Sequence, residues 1–140
     1  MHNDLFDTAT LRHRLLNGSQ LREEHVWCLA KQAFPALCSD KTVAAVRFQS
    51  FLRANALLDA MVLAISTVSP PICLNHMRRT GSDWFCSAST DVEGHAAKAT
   101  GKHRDMAAAM FIALLDIFER RNGSQSKRKT RLIANEDKDE

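Results

Sequence analysis

The sequence predicts an α+β fold: helices first, then a short three-stranded antiparallel sheet, then a closing helix. Three observations lead there. Apolar residues recur every three or four positions across residues 20–68, the period of an amphipathic helix. Residues 72–99 break into short β-prone stretches separated by Gly-containing turns. Residues 103–119, HRDMAAAMFIALLDIFE, carry a continuous apolar helical face. A chain of 140 residues with 45% hydrophobic and 25% charged residues suits one compact domain and argues against wholesale disorder.

The first helix is expected to start at a cap on Asp4 or Asp7 and to stop at Asn17-Gly18. Ser19 is the expected N-cap of a second helix from Gln20 to about Phe34, ended by Pro35. Ser39 or Asp40 then caps residues 41–68, where Ala44, Phe48, Phe51, Leu58, Val62 and Ile65 form the apolar stripe. That segment reads as one long helix, or as two broken near Arg53-Ala54-Asn55, and Pro70-Pro71 terminates it. Strands are expected at Ile72–Arg78 and Trp84–Thr90, with a third, weaker one at His95–Ala99. Thr80-Gly81-Ser82-Asp83 and Asp91-Val92-Glu93-Gly94 are the turns between them. If Trp84, Cys86 and Ala88 face the core helix, then Phe85, Ser87 and Ser89 face outward.

In domain terms, residues 1–121 are expected to form one compact unit. Residues 1–54 are its helical extension and 55–121 its sandwich-like part, with 122–140 a flexible charged tail. Charge divides close to the same place. Residues 1–119 hold 12 basic and 12 acidic groups, whereas 120–140 hold 7 and 4, so the net +3 sits in residues 120–140. A strongly basic nucleic-acid-binding body is thereby disfavoured, although the even balance leaves room for local basic patches.

Cys28, Cys38, Cys73 and Cys86 are widely spaced, and no pair makes C-x-x-C. Buried free thiols in a reducing compartment are the expectation, although four cysteines allow three pairings. The N-terminus has early acidic residues and no long apolar run, unlike a secretory signal. The most apolar stretch, Ala54–Val68, carries Asn55 and Asp59 and is too short for a membrane span. A cytoplasmic protein without membrane contact is expected.

Catalytic chemistry finds little support. None of the six histidines makes H-E-x-x-H, and no cysteine pair has zinc-finger spacing. His76 and His95 would need to meet across the meander, near Cys73 or Cys86, to hold a metal. Ser87 or Ser89 beside His76 or His95, with Asp91 or Glu93, lacks a nucleophile elbow and an oxyanion nest. Asp83, Asp91 and Glu93 read as solvated turn residues rather than Mg²⁺ ligands. Gly101-Lys102 is only the last fragment of a phosphate loop. No catalytic residue, metal or cofactor is expected.

The order helix, three strands, helix over residues 55–119 resembles the small α-β-β-β-α sandwich domains of many phage proteins. Trp84-Phe85-Cys86 on the middle strand, Ala97 and Ala99 on the next, and the alanine-rich last helix carry that resemblance. It implies a mobile-element origin more than an activity. The same order is similar to a double-stranded-RNA-binding domain, in which a basic cluster opening the last helix grips phosphates. The matching stretch is Thr100-Gly101-Lys102-His103-Arg104, interrupted by Asp105.

The leading functional expectation is a non-enzymatic binding protein of phage or mobile-element type that engages a host protein or nucleoprotein. Its partner surface is expected to include Arg47, Arg53, Arg78, Arg79 and Phe85. One alternative is RNA or DNA binding through Lys102, Arg104 and the tail residues Lys127, Arg128, Lys129 and Arg131. Another is a small structural homo-oligomer whose apolar helical faces bury each other.

Overall fold

The computed structural model describes residues 8–17, 20–39 and 41–121. Its elements run α1 (Thr8–Leu16), α2 (Glu23–Ala33), a 3-10 turn (Pro35–Cys38), α3 (Val43–Arg53), α4 (Leu57–Ile65), β1 (Cys73–Thr80), β2 (Asp83–Val92), β3 (His95–His103) and α5 (106–121). The expected α+β order is present. The expected caps at Asp4, Asp7, Ser19 and Asp40, and the tail beyond 121, lie outside the described residues.

Several boundaries differ from the sequence reading, each for a local reason. Helix α2 starts later, after Arg22, whose backbone N–H donates to His25 Nδ1 at 3.1 Å. Burial lowers the His25 pKa, which favours the neutral ring that accepts this bond. Helix α3 is capped by Thr42 rather than Ser39, its Oγ1 accepting from the Ala45 N–H at 3.0 Å. The apolar run 41–68, by contrast, takes one of its two expected forms: two helices, broken where Asn55 has a φ of 60°.

The sheet is a meander in the order β1-β2-β3, antiparallel throughout. Glu93 and Gly94 both have positive φ, the requirement of a tight type I′ hairpin turn between β2 and β3. A bulge between Leu74 and His76 shifts the phase of β1. It lets Leu74 stand with Ala88 on one face and His76 with Ser87 on the other.

Helix α5 is the centre of the molecule. Residues 108–115 and Ile117 are all buried, so its apolar surface runs around the helix rather than along one stripe. Such a helix needs cover on all sides. Cys86, Ala88 and Ala99 of the sheet join one core cluster with Leu15 of α1, Leu29 of α2, Phe48 of α3, Met61 of α4 and the α5 residues. On the sheet side α5 lies directly on Gly101, where an added Cβ would sit 2.0 Å from Ala109 O. On the helical side, Arg12 Nη2 meets Glu119 Oε1 at 2.8 Å.

Polar ties fix the two ends of α5. His103 Nδ1 accepts from the Asp105 N–H at 2.9 Å, which leaves Nε2 to donate to Leu15 O at 3.0 Å. At the other end, Arg121 Nη2 donates to Pro70 O and to Thr90 Oγ1. The buried Thr90 hydroxyl donates in turn to Pro71 O at 3.0 Å. Its desolvation is thus compensated by two partners.

Candidate binding surface

With one face of the sheet against α5, alternation directs the other face outward. Phe85, Ser87 and Ser89 lie on that outer face, as the strand pattern predicts, while Cys86 and Ala88 are buried beneath. The register supplies what the sequence lacks, the neighbours of each residue. Arg78 of β1 and Lys102 of β3 both pair with Phe85. His76 and Thr100 pair with Ser87, and Cys73 and Lys98 pair with Ser89.

The outer face therefore has a defined chemistry. Strands stand about 4.8 Å apart, which puts Arg78 and Lys102 about 10 Å from each other with the Phe85 ring between them. Lys98 lies four residues along β3 from Lys102, about 13 Å away. His76, Arg78, Lys98, Thr100 and Lys102 are exposed, and Phe85, Ser87 and Ser89 are half-buried. Lys102 Nζ lies 5.4 Å from the Phe85 ring centroid, in cation–π range. It is also 3.7 Å from Asp83 Oδ2, an ion pair open to solvent and so a weak tether. The face's acidic residues, Asp83 and Asp91, stand at the two ends of β2, and the ground between them is basic and hydroxylated.

This placement corrects the reading of residues 100–104. Thr100, Gly101, Lys102 and His103 do not open the last helix; they are the end of β3. Alternation sends Lys102 to the outer face and Gly101 and His103 to the α5 side. Arg104 falls in the bend before α5. Lys102 and Arg104 do share a cleft of about 890 Å³ with Leu16, Asn17, Gln20, His103, Asp83 and Asp105. Two carboxylates balance the two cations there, so the cleft has no marked preference for an anion.

The five residues expected to form one partner surface are divided. Arg78 and Phe85 are side by side on the outer face. Arg79 belongs to the opposite face, at the exposed β1 edge, where its Nε donates to Gly81 O at 3.2 Å. Arg47 and Arg53 are exposed on α3, and Arg53 shares a shallow hollow with Glu23 and Glu24. Lys127, Arg128, Lys129 and Arg131 lie outside the described residues. Lys98 belongs to the face but is absent from the sequence-based candidates, and Thr100 enters them only as part of the stretch 100–104. The spacing Lys98, Thr100, Lys102 was their signal, a period of two continuing past Ala99.

The other chemistry weighed from sequence is not assembled. His76 pairs with Ser87 in mid-sheet, whereas His95 pairs with Val92, five residues further along β2 and on the opposite edge. That is about 16 Å of strand, too far for a shared metal. Among the described residues no group of three or more His, Cys, Asp or Glu is placed to hold a metal ion. All four cysteines are unpaired thiols; Cys73 is exposed, and burial raises the Cys86 pKa to about 11. No described helix is long and apolar enough to cross a membrane. Comparison with protein-family models, with curated proteins and with solved structures finds no match to this chain.

Proposed function

We propose that the protein is a non-catalytic binding protein and that the outer face of its sheet contacts a polyanionic partner. The observation that carries this reading is the row Arg78–Phe85–Lys102, drawn from three adjacent strands, its two cations exposed and its ring half-buried. A sheet holds such a row more rigidly than a loop would, because Arg78 and Lys102 are each held in register against Phe85. Two cations flanking a ring suit a partner with negative charge and flat or apolar groups. An acidic surface of a host protein or nucleoprotein has that chemistry, as does a nucleic-acid strand. Arg47 and Arg53, on α3 rather than on the sheet, are left outside the contact, and Arg53 shares its hollow with Glu23 and Glu24.

Charge reversal tests the assignment. In the full-length protein, Arg78→Glu with Lys102→Glu is expected to weaken binding to a labelled oligonucleotide or to polyglutamate by about tenfold or more. The slope of log affinity against log salt should fall by roughly 1.4 for a single-stranded ligand, the share of two phosphate contacts. Arg47→Glu with Arg53→Glu should change affinity by less than about twofold, since charges beyond a Debye length act weakly. Equal losses from the two double variants, or no loss from the first, would remove the sheet from the contact.

A further inference from the structure

We infer that the polyanion this face takes is single-stranded nucleic acid, with an unpaired base stacked on Phe85 and the adjoining phosphates held by Arg78 and Lys102. The inference rests on the proposed binding face and goes further, since it selects one partner class.

Position matters more than charge here. Cations alone suit any polyanion, and an acidic peptide needs nothing else from the face. On this face an aromatic ring stands between the two cations, and hydroxyls continue the row beneath it: Ser87, Ser89 and Thr100. Every nucleobase has a π-face for the ring and polar edges for hydroxyls, which both donate and accept. A nucleotide thus uses all three kinds of group at once. A duplex does not, because its bases are already stacked and its grooves call for a protruding helix or ribbon rather than an open sheet.

The lysine also fits this use. Lys102 Nζ already lies 5.4 Å from the Phe85 ring centroid, and its pair with Asp83 is weak and open to solvent. An arriving base takes the ammonium's place on the ring, and the flexible side chain turns to a phosphate on the same nucleotide. Hydroxyl contacts accommodate each base, so the face is expected to tolerate sequence changes.

The test uses full-length protein with three probes at matched salt: oligouridine, a duplex of equal length, and polyglutamate. Oligouridine should bind most tightly. Phe85→Leu, which keeps an apolar residue in the strand, should weaken oligouridine binding by about tenfold, the worth of one stacked base, and leave polyglutamate unchanged. Irradiation of wild-type protein with iodouracil-substituted oligouridine should cross-link at Phe85, away from the basic tail. Suppose instead that polyglutamate or duplex binds as tightly as oligouridine and Phe85→Leu changes nothing, while Arg78→Glu with Lys102→Glu still weakens binding. The single-strand inference then fails and the polyanion face survives. If neither variant affects any probe, both fail. Should Phe85→Leu unfold, the wild-type cross-link decides, and attachment only within residues 122–140 overturns the inference.

Discussion

Gly101→Ala is expected to destabilise the protein by about 3 kcal/mol or more, a large effect for one methyl group. The added Cβ would lie 2.0 Å from Ala109 O, 2.8 Å from Ala113 N and 3.1 Å from Ala109 C. All three are backbone atoms of a helix that is buried on every side. No rotamer change relieves the contact, so either β3 or α5 must shift, and both are held by other ties. Urea unfolding of Gly101→Ala against wild type measures the loss, with Thr100→Ala as the neighbouring exposed control. Adding Ala109→Gly should not restore stability, because the clash is with the carbonyl rather than the side chain. Wild-type stability in Gly101→Ala would mean that α5 does not lie on β3 as described.

A comparable loss, about 3–5 kcal/mol, is expected for Phe111→Ala. Phe111 is fully buried in the middle of α5, where the neighbouring residues from Ala108 to Leu115 are buried as well. Removing the ring takes away its transfer free energy and leaves a cavity that a helix flanked on all sides cannot collapse to fill. Against the total stability ordinary for a domain of this size, about 5–15 kcal/mol, that is enough to populate the unfolded state under mild conditions. The same urea titration reads it as a lower midpoint at unchanged slope. A loss below about 1 kcal/mol would contradict the central position of α5.

These two residues mark what is legible in the sequence. Phe111 lies in a run whose apolar period announces a core helix without further information. Gly101 is different: its glycine reads locally as a helix approach or a loop, and Gly and Lys are poor strand formers. Its strand state comes from pairing with Cys86, a contact between distant parts of the chain. Residues 100–103 therefore differ from what local propensity predicts, because strand pairing decides their state. The outward direction of Phe85 was legible from alternation within β2. Its neighbours Arg78 and Lys102 were not, because register depends on two turns and on the bulge after Leu74. Charge does not separate Arg47, Arg53 and Arg79 from these residues; the fold does, placing the first two on α3 and the third on the opposite sheet face.

The claim that the outer sheet face is the contact surface is tested most directly by residue-resolved amide chemical shifts during titration of full-length protein with oligouridine. Saturable shifts are expected, centred on Arg78, Phe85, Ser87, Thr100 and Lys102, with α3 residues Arg47 and Arg53 unmoved. Shifts confined to α3, or to Lys127 through Arg131, with the β2 amides unchanged at saturation, would contradict it.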